Sequence, residues 1–369
     1  MTVAVAGAGM AGLVAAARLR ELGVPVQVYE KGTRPGGSML LSSCVIWWHR
    51  EWEDFRCECP GGDERLQRLV WERLDDAIDW LLSLGAVAVW DETGNDRTVG
   101  KRFDPKQLTE TLVGVDANEY SLACERNFIQ SFPAHPLILS TGGFGGSAEL
   151  VQRHIEPAAP LRLRANATST GDGLVFATEQ GAATTSGMDE FYGRNMPDAE
   201  WGEGDFVAES QLYARFARIF DDDGVEFFDR ADVSWSETNV VQATARRPNA
   251  RAYYLLDAPA LDERVRERTV ADMVAAAPPE AHVDPAELPF DAPAGTVAAV
   301  RVVAAITHTI GGLRVDDHAR VLGHDDAPID GLYAAGVDAG GVATGGYASG
   351  LAQALVLGLT AAESAAKNA

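Results

Sequence analysis

The chain has 369 residues, 46% of them apolar and 23% charged, which is enough to bury a sizeable core in one large or two moderate domains. Its 54 Asp and Glu exceed 31 Lys and Arg, so the formal charge is -23 and disfavours nucleic acid and anionic membrane surfaces as partners. The composition therefore favours a compact soluble enzyme.

The four cysteines favour a reducing compartment. They are too few and too irregular for a disulfide framework, and Cys57-x-Cys59 lacks the two-residue spacing of common zinc or redox pairs. No basic segment with an apolar stretch precedes the strand-like Thr2–Ala6, and no apolar run reaches the length of a membrane span. We expect a cytoplasmic protein with free thiols, no membrane span and no metal site.

The first thirty residues form one predicted βαβ unit. Val3–Ala6 reads as a strand, Met10–Leu22 as an Ala- and Leu-rich helix that ends at Gly23, and Val26–Glu30 as a second strand. The turn between the first strand and the helix is "GAGMAG", which matches G-x-G-x-x-G.

Each glycine of that turn has a physical role. Gly7 permits the turn, Gly9 lets the backbone approach a pyrophosphate, and Gly12 lets the helix pack on the strand. The N-terminus of the helix faces the phosphates, and Glu30 lies where an acid accepts hydrogen bonds from ribose hydroxyls. The unit therefore predicts an adenine-dinucleotide site.

The remaining chain alternates between helix and strand signals before its composition changes. Apolar residues recur at helical spacing from Leu66 to Leu82, and the strand Leu137–Ser140 runs into "TGGFGG". Residues 191–296 carry acidic clusters, many aromatics and a Pro-rich end, which indicates an inserted domain. The strand Val297–Ala304, the turn "THTIGG", a polar hairpin region and a Gly-rich loop before an apolar helix complete the chain.

Several motifs in order carry a family resemblance. They are "GAGMAGLVAAARLRELGVPVQVYEKG", "GGSMLLSS", "LILSTGGFGG", "TSTGDGLVFATEQGA", "THTIGGLRVDD" and "GLYAAGVDAGGVATGGYASGLAQALVLG". Together they resemble the fumarate reductase and succinate dehydrogenase flavoprotein-like family of FAD-dependent oxidoreductases, nearer its 3-ketosteroid 1-dehydrogenase branch. The resemblance implies an α/β fold: a Rossmann-like FAD-binding domain from residues 1–190 and 297–369, with an inserted α+β capping domain at 191–296.

The resemblance also implies which residues contact FAD. The N-terminus of the last helix would point at the flavin pyrimidine and stabilise the reduced ring. The implied FAD contacts are Gly7, Gly9, Ala11, Gly12, Glu30, Lys31, Gly37, Ser38, Ser42, Thr141, Gly142, Gly143, Asp172, Gly336, Asp338, Gly350 and Leu351.

The chain departs from the family pattern at three places. The usual Gly-Glu after the C-terminal strand is Gly336-Val337, with Asp338 one place later as the candidate substitute. The turn after Ser42 is the bulky "SCV". Between Val113 and Leu137 the chain is shorter than the family norm, as though part of a small β-meander were missing.

Tyr347 decides between the branches of the family. Fumarate-type members use arginines to hold a dicarboxylate, and Tyr347 stands where one of them belongs; a weaker alignment puts Ser234 near the other. Ketosteroid dehydrogenases instead hold a ketone oxygen between a tyrosine hydroxyl and a glycine N–H, which Tyr347 and Gly350 or the N–H of Leu351 match. The α-proton then leaves to a base as hydride goes to flavin N5, and the base candidates are Tyr192, Tyr213, Tyr253 and Tyr254.

His308 is the third catalytic candidate. It resembles a family histidine that hydrogen-bonds the flavin carbonyl edge or the substrate, although a buried histidine satisfied by backbone remains the alternative. His49, His135, His154, His282, His318 and His324 show no spacing of interest and are predicted at the surface.

Three functions remain open from the sequence. The leading one is an FAD-dependent dehydrogenase or ene-reductase of a C–C bond next to a carbonyl in a small neutral molecule, with an unknown electron donor or acceptor. The second is a reductase of a small unsaturated carboxylate, with Arg230, Arg246, Arg247 or Arg301 replacing the missing arginines. The third is a flavin-binding protein without turnover.

Overall fold

The computed structural model describes residues 1–114, 120–124 and 136–369, with only the backbone of residues 120–122. The expected shortening between Val113 and Leu137 concerns mainly residues 115–119 and 125–135, which lie outside the described residues. His135, predicted at the surface, lies outside them as well. None of the described helices has the length and apolar character needed to cross a bilayer.

Strands and helices follow in chain order. The strands are β1 Val3–Ala6, β2 Val26–Tyr29, β3 Val45–His49, β4 Ala88–Trp90, β5 Thr98–Phe103, β6 Tyr120–Ala123, β7 Leu137–Leu139, β8 Arg162–Leu163, β9 Phe191–Pro197, β10 Arg218–Phe220, β11 Glu226–Phe228, β12 Arg251–Asp257, β13 Arg264–Val265, β14 Arg268–Thr269, β15 His282–Val283, β16 Thr296–Thr309, β17 Arg320–Leu322 and β18 Pro328–Ala334. The helices are α1 Met10–Glu21, α2 Trp52–Glu58, α3 Glu64–Ser83, α4 Pro105–Val113, α5 Ala148–His154, α6 Asp172–Glu179, α7 Thr238–Ala245, α8 Ala258–Asp262, α9 Val270–Ala275 and α10 Gly350–Ala366.

The chain divides into two compact units. Unit 1 contains residues 1–147, 166–190 and 308–369, and unit 2 contains residues 148–165 and 191–307. Unit 2 is therefore larger than the predicted insert, because it also takes in residues 148–165 and 297–307. β8 from the first of these segments pairs in parallel with β16 from the second, so backbone hydrogen bonds hold both within unit 2.

Unit 1 is built on a sheet with the strand order β17-β18-β7-β1-β2-β6. The strands from β18 to β6 run in parallel, and β17 is antiparallel at the edge. β1 and β7 are buried throughout, as expected for parallel strands covered on both faces. The predicted α/β fold with a Rossmann-like βαβ start is confirmed.

A second, antiparallel sheet of unit 1 has the order β3-β5-β4. α3 lies in the same unit, and its apolar positions recur at helical spacing, as the sequence predicts. The side chain of Asp63 caps this helix by accepting from the N–H groups of Arg65 and Leu66.

Unit 2 has its own sheet, with the order β11-β10-β12-β16-β15 and with β8 and β9 also paired to β16. β16 is longer than the predicted strand Val297–Ala304, since it continues through the first residues of "THTIGG". Its side chains and those of β12 fill an apolar core with α7 and α9. This mixture of strands and helices agrees with the predicted α+β insert.

Candidate active site

The predicted cofactor segments of unit 1 meet at one edge of the parallel sheet. β1 ends one residue before Gly7, β2 one residue before Glu30, β7 two residues before Thr141 and β18 two residues before Gly336. Backbone hydrogen bonds align these ends: the Gly7 N–H donates to Tyr29 at 2.7 Å and the Ala335 N–H to Leu139 at 2.9 Å. The carboxyl ends of neighbouring parallel strands are where open α/β sheets bind ligands, so this edge is the candidate site.

The three glycines of the first turn have different surroundings. Gly7 has φ +104°, and a Cβ there would overlap the carbonyl of Ser140. A Cβ on Gly12 would overlap the carbonyl of Gly7, so close packing of α1 on the turn requires glycine. A Cβ on Gly9 would meet nothing within 4 Å, so open space lies beside this residue. Ala11 packs inside, 3.0 Å from a Cβ placed on Gly336, where φ is +65°.

Glu30 is buried and already has two backbone partners. Its carboxylate accepts from the N–H of Ala8 at 2.8 Å and from that of Gly32 at 2.6 Å. The neighbouring Lys31 donates to Asp172 at 3.0 Å and also to the hydroxyl of Thr170. Lys31 and Asp172 are therefore joined into one network, and its third member is Thr170, which the motif analysis missed.

The segment after β2 forms the second small-residue approach. Gly37–Leu41 is a short 3-10 helix, and a Cβ on Gly37 would lie 3.1 Å from the Cα of Gly9. The Ser38 hydroxyl accepts from the Asn166 N–H at 3.1 Å, and the Ser42 hydroxyl accepts from the Cys44 N–H at 3.0 Å.

Cys44 explains part of the unusual "SCV" turn. It has φ +52°, a left-handed conformation that glycine adopts most easily. The turn thus keeps a glycine-like backbone with a bulkier residue in it. The side chain is completely buried, and burial raises the pKa of its thiol to about 12, so the thiol is un-ionised at neutral pH.

Asp338 holds the glycine turn that follows β7. Its carboxylate accepts from the backbone N–H and hydroxyl of Thr141, the latter at 3.0 Å, and from the N–H of Gly143 at 3.0 Å. Burial raises the pKa of Asp338, and these hydrogen bonds oppose the rise. Gly142 and Gly143 have φ of +91° and +73°, so this turn needs glycine. Asp338 therefore has a structural role in addition to its predicted contact with FAD.

The glycines of residues 340–346 pack against protein. A Cβ on Gly340 would overlap the Gly312 N–H, one on Gly345 would lie 2.9 Å from Pro60, and one on Gly346 would overlap the Glu58 carbonyl. Close packing inside unit 1 therefore requires small residues at these positions.

Tyr347 and His308 both lie close to the N-terminus of α10. Tyr347 is three residues before Gly350, where α10 begins, and the Ser349 hydroxyl caps that helix by accepting from the Ala352 N–H at 3.2 Å. His308 Nε2 would lie 3.1 Å from a Cβ on Gly350. Leu351 is the second residue of the helix, and like Gly350 it is half-buried.

The His308 ring is in a defined tautomer. Its Nδ1 lies 3.1 Å from the Thr309 carbonyl oxygen, which can only accept, so Nδ1 carries the proton. Burial lowers the pKa of His308 and keeps the ring neutral, which makes Nε2 an acceptor. The predicted hydrogen bond from His308 to the flavin edge or to the substrate stays a prediction.

The prediction that His49 lies at the surface is wrong. It is 2% exposed, and its ring stacks on Phe55 with centroids 5.2 Å apart. Its Nε2 lies 3.4 Å from the carbonyl oxygen of Tyr347. The signal that could have found it is the strand "VIWWH", in which alternate residues share one face.

The four tyrosines proposed as bases are all buried in unit 2. Tyr213 and Tyr254 pack edge to face at 5.6 Å inside the apolar core, and Tyr253 belongs to a second apolar cluster. Burial raises the pKa of each of these three hydroxyls, which disfavours them as bases. Tyr192 instead lies beneath the guanidinium of Arg194, 4.9 Å from its ring centroid.

The arginines proposed as carboxylate ligands have other contacts within unit 2. Arg301 pairs with Asp198 at 2.7 Å, Arg247 lies 3.8 Å from Asp221, and Arg246 donates to the Gln242 carbonyl at 3.1 Å. Arg230 is exposed. Arg194, which the sequence analysis did not consider, is 9% exposed.

The sheet edge fits an FAD diphosphate. α1 has no side-chain cap at Gly9, so its first N–H groups face the open space beside that glycine. An anion at such a helix N-terminus is favoured by the helix dipole, and Gly37 keeps the opposite wall free of side chain.

Relatives of known sequence agree with this fit. The chain is 24% identical to the probable fumarate reductase Ifc3 of Shewanella frigidimarina, a match over 100% of this chain and 75% of that protein. It is 23% identical to an NADH:fumarate oxidoreductase of Klebsiella pneumoniae, of which it spans 48%.

Solved structures show the same fold. The open conformation of a flavocytochrome c3 fumarate reductase matches with a TM-score of 0.73 and 22% identity, covering 99% of this chain and 78% of that one. The 3-ketosteroid delta1-dehydrogenase of Sterolibacterium denitrificans matches with a TM-score of 0.71 and 16% identity, covering 100% of both chains.

Family models identify the chain. An NAD(P)-binding Rossmann-like domain matches residues 5–45, and the FAD binding domain matches residues 119–351, more than half of the sequence. The chain therefore belongs to the FAD binding domain family and is an FAD-dependent oxidoreductase.

Proposed function

We propose that the enzyme dehydrogenates, or in reverse reduces, a C–C bond adjacent to the carbonyl of a small neutral molecule. The observation that carries this proposal is the position of Tyr347, in the loop that leads into the N-terminus of α10. A phenol and the first N–H groups of a helix are both donors that suit a carbonyl oxygen.

The residues that would hold FAD follow from the sheet edge. The N–H groups of α1 at Gly9 and Ala11 would bind the diphosphate, and Glu30 would accept from the ribose. The rest of the cofactor would be lined by Ser38, Ser42 and the turn of Thr141 to Gly143. The Lys31–Asp172 pair would lie beside the cofactor as well. When bound, FAD supplies the hydride acceptor or donor of the reaction.

Tyr347 would polarise the substrate carbonyl. Its hydroxyl would donate to the oxygen, and the N–H of Gly350 or Leu351 would be the second donor. Two donors lower the energy of the negative charge that develops on oxygen when the α-proton leaves. His308, whose Nε2 lies beside Gly350, would contact the flavin or the substrate at the same helix N-terminus.

A neutral substrate is favoured over a carboxylate. Arg246, Arg247 and Arg301 already contact a carbonyl or a carboxylate, so holding a substrate carboxylate would require them to give up these contacts. The second candidate function, reduction of a small unsaturated carboxylate, is favoured by the fumarate reductase names of the relatives.

Anaerobic mixing of the oxidised holoprotein with saturated ketones, cyclic and steroidal, tests the proposal. We expect the flavin absorbance to bleach with at least one ketone, and dithionite-reduced protein to be reoxidised by the matching enone. Fumarate and related unsaturated carboxylates form the parallel panel, because reoxidation by them alone would favour the second candidate. A flavin spectrum that no compound of either panel changes would support a flavin-binding protein without turnover.

A further inference from the structure

Trp47 and His49 lie on the same face of β3. They are two residues apart on a strand, so their side chains point to the same side of the sheet, while Trp48 points to the other. Both are buried, and their rings pack edge to face with centroids 5.4 Å apart. Phe55 stacks on His49, so the imidazole contacts two aromatic rings.

Both residues contact Tyr347, one through its ring and one through its backbone. The Trp47 and Tyr347 ring centroids are 5.3 Å apart at an angle of 57°. His49 Nε2 lies 3.4 Å from the Tyr347 carbonyl oxygen, which can only accept, so Nε2 carries the proton. Burial lowers the pKa of His49 and keeps this neutral tautomer in place across the neutral pH range.

The residues before Tyr347 are anchored by their backbone. The Asp63 N–H donates to Gly341 at 2.7 Å, the Gly61 N–H donates to Thr344 at 3.1 Å, and Gln67 Nε2 donates to Val342 at 2.8 Å. A Cβ on Gly346 would overlap the Glu58 carbonyl, so backbone meets backbone there. The path of residues 341–346 is thus set by protein contacts, and Trp47 and His49 contact the residue that follows this path.

We propose that Trp47 and His49 are positioning residues that orient the Tyr347 phenol for its hydrogen bond to the substrate carbonyl. This inference rests on the proposed function, in which the Tyr347 hydroxyl donates to the substrate carbonyl. A preorganised donor stabilises developing charge without reorganisation during the reaction, and misplacement by about 1 Å can cost roughly 100-fold in rate.

Fluorine NMR of the holoprotein labelled with 3-fluorotyrosine tests the orientation without any substrate. Of the 8 tyrosine signals, that of Tyr347 is the one that disappears in Tyr347→Phe. We expect Trp47→Leu and His49→Phe to move this signal toward the position of free fluorotyrosine and to narrow it. His49→Gln, whose amide can replace the Nε2–H donor, should keep the signal near its original position, as should the control Trp48→Phe on the opposite face.

A kinetic double-mutant cycle tests whether the two residues act through Tyr347. With the ketone found active, Trp47→Leu should lower kcat about 10- to 100-fold while KM and flavin content change little. In the Tyr347→Phe background the same substitution should have almost no further effect, because the donor that it positions is gone.

The possible results separate the inference from the proposed function. An unmoved Tyr347 signal in both Trp47→Leu and His49→Phe overturns the inference, whatever the substrate is. Losses in kcat that multiply in the double variant also overturn it, while leaving the role of Tyr347 intact. If no ketone of the panel reduces the flavin, the proposed function fails instead, even where the fluorine signals move as expected. Ketone turnover by Tyr347→Phe as fast as by the parent removes Tyr347 from the reaction and overturns the inference with it.

Discussion

Asp338 accepts hydrogen bonds from both the backbone N–H and the hydroxyl of Thr141, and so ties the turn after β18 to the turn after β7. The two turns belong to adjacent parallel strands, since β18 pairs with β7. An acid that aligned with the family as a possible cofactor contact therefore has a structural task at the same sheet edge.

Asp338→Ala should destabilise unit 1 and weaken FAD binding together. It leaves the N–H groups of Thr141 and Gly143 without their acceptor in a buried place, at a cost of about 3 kcal/mol in the free energy of unfolding. Denaturant unfolding and the flavin-to-protein absorbance ratio measure both effects. Asp330→Ala, at an exposed position of β18, is the matched control and should change neither; equal effects of the two variants would contradict the structural role.

Gly9→Val should separate folding from cofactor binding. Gly9 has φ -77° and open space at its Cβ, so valine fits the protein but occupies the place of the diphosphate. We expect soluble protein with a helical circular dichroism spectrum and most of its flavin lost. In Gly12→Val the side chain would overlap Gly7, so that variant should fail to fold. Full flavin content in Gly9→Val would place the diphosphate elsewhere.

Tyr347→Phe should slow turnover without loss of cofactor. Removing one donor to a developing oxyanion typically costs about 100- to 1000-fold in kcat. Stopped-flow reduction of the flavin by the active ketone measures the chemical step directly, and Tyr29→Phe in β2 serves as the control. A Tyr347→Phe enzyme with an unchanged rate of flavin reduction would remove this residue from the mechanism.

Glu237 should make unit 2 less stable as pH rises. It is 5% exposed with φ +55°, and burial raises its pKa to about 7 against the lowering effects of Arg194, the Ala214 N–H and Arg215. Between pH 4.5 and 7 the folded state keeps a proton that the unfolded state has lost, so the free energy of unfolding falls by on the order of 3 kcal/mol.

The matched variant for this prediction is Glu237→Gln. Its amide oxygen can still accept from the Ala214 N–H, which lies 3.1 Å from the Glu237 carboxylate, but it cannot ionise. The variant should equal the parent in melting temperature near pH 5 and exceed it near pH 8. Parallel melting curves at both pH values would show that Glu237 has an ordinary pKa.

Local signals were enough to predict the elements at the sheet edge. A strand, a glycine turn, a helix and a second strand follow one another within thirty residues, and each has its own pattern of apolar residues and glycines. The bounds of β1, α1 and β2 therefore agree with the prediction to within one residue. The boundary of the inserted unit is harder to predict from the sequence, because residues 148–165 join unit 2 by pairing with a strand more than 130 residues later.

The sequence by itself determined the Rossmann-like start and the FAD motifs and made Tyr347 a candidate site residue, because glycines at fixed spacing and an unusual residue in a glycine-rich loop are visible without coordinates. Only the tertiary structure decided that Asp338 holds Thr141 and that Trp47 and His49 contact Tyr347. These contacts join residues far apart in the chain. The spacing of neighbouring residues does not predict which distant backbone group or ring a buried side chain will contact.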